Sequence, residues 1–316
     1  MNWQNIFTEE QQYDEKFRII EDNRSKYQKD FDKLVFYSGF RRLQNKTQVF
    51  PLPKVAFVHN RLTHSFEVAS VGRSLGKLVG ERIVKDIQLD DSSKLFYQYE
   101  LPNVIAAGCL AHDIGNPPFG HSGEKAIAKY FIDNQNSIIE VDEKNNNKTL
   151  RTYFDEAFWM DLITFEGNAN GFRILTNNFN RKNEGGLNLT YTTLASTLKY
   201  PCSSKQINED KISTKKYNYF QSEISTFQEV CEKTNMKVDA VGPKSYFRHP
   251  FTYLVEAADD ICNTIIDLED AHRIGILSYE EVSGLLLKLI DCVVKENVHL
   301  DENSRIQEPK DYNEYL

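Results

Sequence analysis

Neither a Walker loop, G-x-x-x-x-G-K-[ST], nor a C-x-x-C pair of cysteines occurs in this sequence of 316 residues. Without that loop, any phosphate group must be bound by side chains or by a metal ion. The sequence also lacks a run of about 18 apolar residues, which argues against a transmembrane helix. The start of the chain has no basic segment followed by an apolar one, so we expect no signal peptide.

The sequence has few cysteines, and its basic residues are fewer than its acidic ones. The five cysteines are an odd number and lie far apart, so we expect reduced thiols in a cytoplasmic protein. The net charge of −8 provides no general attraction for nucleic acid. Single-stranded nucleic acid is therefore a partner only if a local basic cleft binds it. A hydrophobic content of 40% indicates a globular protein of one large domain or two.

Apolar residues recur at helical spacing in several long segments. In the first, from Thr63 onward, residues spaced 4, 3, 4 and 3 apart share one face: His64, Val68, Val71, Leu75 and Leu78. Further helices are predicted over residues 102–112, 251–273 and 279–298. Strand patterns are few and short, as at residues 55–58. We therefore predict an all-α fold with minor short strands.

Polar and charged segments separate these helices. Residues 134–148, 177–188 and 201–216 are rich in Asn, Ser, Lys, Asp or Gly and are predicted to be loops. Residues 301–316 are highly charged and have little apolar periodicity, so we expect a charged C-terminal tail that frays. No internal repeat is present.

The most informative motif is His112-Asp113. It ends the apolar run before it, and a Gly/Pro-rich breaker turns the chain sharply after it. An adjacent imidazole and carboxylate can bind one divalent cation together. Two more candidate ligands, His64 and Asp259, lie on apolar helical faces. Taken singly, each has a plainer interpretation, a hydrogen-bonded core histidine and a salt-bridged helix carboxylate.

Together these residues form the ordered set H…HD…D, and the chain resembles the HD phosphohydrolase superfamily. Five blocks in order are similar to bacterial deoxyguanosine triphosphate triphosphohydrolases (dGTPases): Arg41–Pro51, Asn60–Ser65, His112–His121, Phe165–Arg173 and Glu256–Ile261. The resemblance implies a single all-α HD-type catalytic domain over residues 1–300, with the metal-site core at about 35–275 and a tail at 301–316. Members of the family usually continue well past residue 316.

By this resemblance, His64, His112, Asp113 and Asp259 bind one divalent metal ion. Mg²⁺ or Mn²⁺ is expected, while two imidazoles also suit Fe, Co, Ni or Zn. The implied activity is hydrolysis of dGTP, or of other dNTPs, by attack of water at the α-phosphorus. The products are the deoxynucleoside and tripolyphosphate.

The resemblance also implies that His121 and Glu124 are a catalytic pair. Glu124 would orient His121, which acts as base, acid or nucleophile. The alternative is a turn histidine beside a glutamate at a helix start, with Ser122 as the helix cap.

The remaining assignments concern the substrate. Arg61 is expected to clamp phosphate oxygens, with a surface salt bridge as the alternative. The resemblance places Gln48 and Asp267 at the deoxyribose 3′-hydroxyl. It also places four residues around the nucleotide: Asn168, Lys199, Tyr200 and Lys216. The two lysines would neutralise the β- and γ-phosphates, unless they are simply solvated loop lysines.

One departure and two alternatives stay open. Asn263 stands where the superfamily often has a tyrosine packed against the sugar, which puts discrimination against the 2′-hydroxyl in doubt. The first alternative to a dGTPase is an HD phosphohydrolase that acts on another nucleotide. The second is a nucleotide sensor with a silent site. A homo-oligomer is expected from the resemblance, without a defined number of subunits.

Overall fold

The computed structural model describes residues 2–13, 22–51, 58–141, 147–177, 186–239 and 245–296. Helices dominate this part of the chain, as predicted. The α-helices in it are α1 (Lys26–Phe36), α2 (Ser38–Arg41), α3 (Arg61–Asp86), α4 (Asp91–Leu95), α5 (Leu101–Ala111), α6 (His121–Asp133), α7 (Leu150–Tyr153), α8 (Glu156–Ile163), α9 (Gly167–Thr176), α10 (Tyr191–Ser196), α11 (Ile224–Lys233), α12 (Pro250–Arg273) and α13 (Tyr279–Glu296). A π-helical turn, Phe96–Glu100, joins α4 to α5.

The strands are two short antiparallel pairs. β1 (Ile138–Val141) pairs with β2 (Asn147–Thr149), and β3 (Val238–Asp239) pairs with β4 (Ser245–Tyr246). The prediction of a loop over 134–148 was therefore wrong in part, because β-branched Ile138 and Ile139 open a hairpin strand there.

The chain divides into two compact units. One comprises Met1–Leu52 with His59–Thr264, and the other comprises Pro53–Val58 with Ile265–Leu316. The single domain expected over residues 1–300 stays a prediction. Three predicted features lie mainly or wholly outside the described residues. They are the strand (residues 55–57), most of one loop (residues 178–185) and the charged tail (residues 301–316).

The core of the first unit is built around α5. Every residue of this helix except Asn103 is buried, which matches its continuous apolar sequence. Pro102 occupies the first turn, where its missing N–H costs no hydrogen bond. The long helix α3 packs along α5. It begins after Asn60, whose side chain caps the backbone N–H groups of Leu62 and Thr63.

The buried face of α3 differs from the predicted one in its second half. His64 and Val68 are buried as expected, whereas Leu78 is 64% exposed. A stripe of Gly72, Gly76 and Gly80 faces α5 and the π-helical turn instead. A Cβ atom on Gly80 would lie 2.0 Å from the Tyr97 carbonyl oxygen, so only glycine permits this approach. Helix contact through small residues is invisible to a hydrophobic pattern.

Three further predictions concern the rest of the chain. The helix predicted over 251–273 is confirmed as α12, and the one predicted over 279–298 is confirmed to residue 296 as α13, since residues 297–298 lie outside the described residues. Residues 201–216 form the predicted loop, with one 3₁₀ turn at Ser204–Gln206. Among the described residues, no helix combines the length and the apolarity needed to cross a bilayer.

His249 is a buried histidine that makes folding sensitive to acid. Its Nε2–H donates to the Ile6 carbonyl at 2.7 Å, and its Nδ1 accepts from the Phe251 N–H at 3.3 Å. Burial lowers the pKa of His249 to about 4. An unfolded histidine has a pKa of about 6.5, so below that pH the unfolded chain binds a proton that the folded chain excludes.

We therefore expect stability to fall as the pH drops from 6.5 towards 4. The stability advantage of the wild type over His249→Gln should shrink by about 2 kcal/mol between pH 7.5 and pH 5. Urea unfolding of both proteins at both pH values measures this difference. An advantage that does not change with pH would contradict the prediction.

Candidate active site

Three side chains from three parts of the helical core converge on one point. His64 lies on α3, His112 follows the last residue of α5, and Asp259 lies on α12. One nitrogen of each histidine and one oxygen of Asp259 all lie within 4.8 Å of one another. Asp259 Oδ1 is 3.1 Å from His64 Nε2 and 3.5 Å from His112 Nε2. This spacing suits ligands that share a single cation.

The orientation of His112 also fits a metal ligand. Its Nδ1–H donates to the Cys109 carbonyl at 2.6 Å, which leaves the Nε2 lone pair of the neutral ring directed at Asp259. Burial acts against charge on this ring, but the carboxylates of Asp113 and Asp259 outweigh it and raise the pKa of His112 to about 9. The same two carboxylates would also attract a divalent cation, which binds the neutral imidazole. His64 Nδ1 is buried and has no hydrogen-bond partner in the part of the chain that the structure describes.

Asp113 lies beside this group but is held by other residues. Its Oδ2 accepts from Arg61 Nη1 at 2.6 Å, and its Oδ1 accepts from Asn116 Nδ2 at 2.5 Å. Asp113 Oδ1 is 3.6 Å from His112 Nε2. Its assignment as a fourth metal ligand stays a prediction. Arg61 is buried in this ion pair, so the alternative of a surface salt bridge was wrong.

His121 and Glu124 form the predicted pair at the start of α6. His121 Nδ1 donates to Glu124 Oε2 at 2.8 Å, while Glu124 Oε1 accepts from the backbone N–H of Gly167 at 2.8 Å. The His121 side chain is 75% exposed, so its Nε2 is accessible to a ligand. The alternative role of Ser122 as the cap of α6 was wrong, because Gly120 occupies that position without a side-chain bond.

The turn between His112 and His121 is fixed against α9 by direct backbone packing. A Cβ atom on Gly115 would lie 2.0 Å from the Gly171 nitrogen and 2.1 Å from the Gly167 oxygen. Asn170 Nδ2 also donates to the Gly115 carbonyl at 2.7 Å. The contact explains why glycines occur in both sequence blocks.

Gly115→Ala should lower the free energy of unfolding by about 3 kcal/mol, because backbone atoms cannot yield to the new methyl group. Gly284→Ala on α13 is the matched control. A Cβ at Gly284 would meet no atom of the described residues within 4 Å, and alanine is the better helix former. Thermal and urea unfolding compare the two variants. Equal stabilities would contradict the packing argument.

A cavity of about 350 Å³ extends from His112 and Asp259 to His121. It brings together eight predicted site residues: His112, Asp113, His121, Asn168, Lys199, Tyr200, Lys216 and Asp259. Asn116, Ser196, Thr197, Lys215, Thr252, Val255 and Glu256 complete its lining.

The two predicted phosphate-binding lysines are fixed in the cavity by carboxylates. Lys199 Nζ lies 3.1 Å from Glu256 Oε1, and Lys216 Nζ lies 3.2 Å from Glu166 Oε2. Burial opposes the charge on Lys199, but Tyr200 and Glu256 raise its pKa above the usual value. These lysines are therefore not merely solvated loop residues. Lys216 Nζ is also 3.4 Å from His121 Nδ1.

The predicted sugar contacts are placed less completely. Gln48 Nε2 donates to Asn263 Oδ1 at 3.3 Å, and Asn263 Nδ2 donates to Asp259 Oδ1 at 2.9 Å. The departure at Asn263 thus hydrogen-bonds a candidate metal ligand. Asp267 falls in the second unit, and its role at the sugar stays a prediction.

Sequence reasoning missed the residues that position these groups. Glu166 and Glu256 hold the lysines, and Asn116 holds Asp113. A signal existed for Glu256, because it precedes Asp259 by three residues and so shares its helix face. No comparable signal marks Glu166, whose partner Lys216 is distant in the sequence.

A helical fold that brings an adjacent His-Asp pair together with a second histidine and a second aspartate defines a hydrolase of the HD type. Residues 61–158 match the family profile of the HD domain. The chain therefore contains an HD domain.

Curated relatives are similar over most of the chain. A deoxyguanosinetriphosphate triphosphohydrolase-like protein of Pseudomonas aeruginosa (strain LESB58) is 40% identical over 92% of this chain and 61% of its own length. One from Synechocystis sp. is 40% identical over 92% of this chain and 64% of its own length. The deoxyguanosinetriphosphate triphosphohydrolase of Yersinia pseudotuberculosis is 34% identical over 81% of this chain and 52% of its own length. The chain thus spans less than two thirds of these relatives.

Proposed function

We propose that this protein hydrolyses dGTP, or a wider set of dNTPs, to the deoxynucleoside and tripolyphosphate. The observation that carries the proposal is one cavity lined by His112, Asp259, His121 and the two carboxylate-held lysines. His64 and Glu124 contact the lining residues Asp259 and His121. The positively charged lysines can bind a negatively charged triphosphate, and the exposed imidazole of His121 can transfer a proton at the bond to be cut. The printed names of the relatives agree with this substrate class.

His64, His112 and Asp259, with Asp113 as the proposed fourth ligand, would hold one divalent metal ion. Such an ion supplies phosphate charge neutralisation and makes water more acidic when bound. We propose Mg²⁺ or Mn²⁺, with Fe, Co, Ni and Zn as candidates that the donor set also accepts.

The residues of the chain have separable roles in this proposal. Glu124 fixes His121 with Nδ1–H as donor, which leaves Nε2 to take a proton from water or to give one to the leaving 5′-oxygen. Lys199 and Lys216 neutralise the β- and γ-phosphates. Arg61, whose buried Nε has no hydrogen-bond partner among the described residues, would contact a phosphate oxygen next to Asp113.

The test is incubation with each dNTP and each candidate metal, with products separated by ion-exchange chromatography. Deoxyguanosine and intact tripolyphosphate are expected from dGTP. Release of pyrophosphate or orthophosphate would place the cut elsewhere and refute the proposed chemistry. Nucleotide binding without turnover by any metal-loaded form would favour the sensor alternative. Gel filtration with light scattering tests the proposed homo-oligomer, and fractionation of the cells tests a cytoplasmic location.

A further inference from the structure

Lys199 is held at both ends by one buried arginine and one glutamate. Arg248 Nε donates to the Lys199 carbonyl at 2.7 Å, and Arg248 Nη1 donates to Glu256 Oε2 at 2.8 Å. The other oxygen of that carboxylate, Glu256 Oε1, lies 3.1 Å from Lys199 Nζ. The three residues therefore form a closed ring in which one carboxylate is shared by two cations, one oxygen for each.

The two cations differ in their freedom to move. The Arg248 side chain is only 4% exposed, and its guanidinium lies over the rings of Tyr200 and Tyr253 at 5.7 and 5.6 Å. Its Nη2 also donates to the Ile212 carbonyl at 3.2 Å. Lys199 lines the cavity, is 27% exposed and has only Glu256 as an ion-pair partner among the described residues. Arg248 is thus the fixed member, and the Lys199 ammonium is the one that can turn.

Because Glu256 is shared, the free-energy cost of moving the Lys199 ammonium away from it depends on Arg248. If Lys199 moves to a phosphate oxygen, Glu256 keeps Arg248 as its partner. Without Arg248, the same movement would leave an unpaired carboxylate in the cavity beside a polyanion. An uncompensated charge of this kind is strongly unfavourable in a partly buried site.

We propose that Arg248 is a positioning residue that compensates Glu256, so that Lys199 can exchange this carboxylate for a phosphate group. The ligand class is a polyphosphate chain, and the inference rests on the proposed function for its place in a reaction. Arg248 acts through Lys199 and does not itself line the substrate cavity.

Binding of inorganic tripolyphosphate, measured by isothermal titration calorimetry, tests this without any turnover. Arg248→Gln should weaken binding about tenfold, or about 1.4 kcal/mol, because Glu256 then retains Lys199. Glu256→Gln should bind more tightly than the wild type, because Lys199 is released. The double variant should recover to within about threefold of Glu256→Gln, which is the coupling that a double-mutant cycle detects.

A merely structural role for Arg248 predicts the opposite for the double variant, since a damaged wall would not be repaired by a second substitution. A double variant as weak as Arg248→Gln therefore overturns the proposal, as does unweakened binding in Arg248→Gln or Lys199→Met. Arg82→Gln, which makes the same charge change at an exposed ion pair on α3, is the matched control and should alter affinity less than twofold. Should Arg248→Gln fail to fold, Arg248→Met, which also removes the charge but keeps a long unbranched side chain, replaces it in the cycle and should weaken binding in the same direction.

Steady-state kinetics with dGTP separates the two levels of inference. The Arg248 effect should appear mainly in KM, and little in kcat, because phosphate binding changes while the His121–Glu124 pair does not. If tripolyphosphate binding follows the expected pattern but dGTP is not hydrolysed, the proposed reaction fails and the role of Arg248 stands. If dGTP is hydrolysed but the wild type does not bind tripolyphosphate, the role assigned to Arg248 fails alone.

Discussion

Asp259→Asn should abolish tight divalent-metal binding and lower kcat/KM for the preferred dNTP by about four orders of magnitude. Asp259 Oδ1 lies near both histidines, at 3.1 Å from His64 Nε2 and 3.5 Å from His112 Nε2. A neutral amide removes the only negative charge in the group of three converging side chains. The amide can also rotate so that its NH₂ group, and not its oxygen, faces the two histidines.

The measurement is metal content after reconstitution, by plasma mass spectrometry, together with steady-state kinetics. Asp260→Asn is the matched control, because it makes the same chemical change one residue away at an exposed aspartate. It should retain metal and activity. A variant at Asp259 that keeps one equivalent of metal and more than a tenth of the activity would show that the cation binds elsewhere.

The second large effect is expected at the proton-transfer pair. His121→Asn should lower kcat about a thousandfold while KM and metal content stay close to those of the wild type. The reason is that His121 presents an exposed Nε2 to the cavity and touches none of the three converging ligands. Glu124→Gln should lower kcat less, because the ring remains present but loses its carboxylate partner.

Kinetics and metal analysis on the same preparations distinguish this outcome from the loss of metal at Asp259. His272→Asn, at an exposed histidine on α12, should leave kcat unchanged and controls for removal of an imidazole. Loss of metal in His121→Asn, or an unchanged kcat, would remove His121 from the chemistry.

Local sequence patterns predicted the parts of this site that depend on helix periodicity. The apolar run that becomes α5 places His112 directly after its end, and the helical spacing from Thr63 onward places His64 on the buried face of α3. The three-residue spacing of His121 and Glu124 is one helical turn, and the structure shows their hydrogen bond.

Other features could not be predicted because they depend on residues far apart in the chain. Whether the Asp113 carboxylate faces a cation or Arg61 depends on side-chain direction at the helix end, which adjacency to His112 does not define. Glu256 is shared by Lys199 and Arg248, and only the folded chain brings these three together. The exposure of Leu78 follows from a glycine contact that periodicity does not record.

The backbone contact between Gly115 and α9 separates two properties that an enzyme engineer would want to vary independently. The proposed ligand His112 and the proposed acid–base residue His121 lie at the two ends of one turn, and this contact holds the middle of the turn in place. Their separation is consequently set by main-chain atoms. Lys199 and Lys216 come from other segments. Substitutions in those segments can therefore change the preference for a phosphate chain or a base. The spacing between His112 and His121 stays the same when they do.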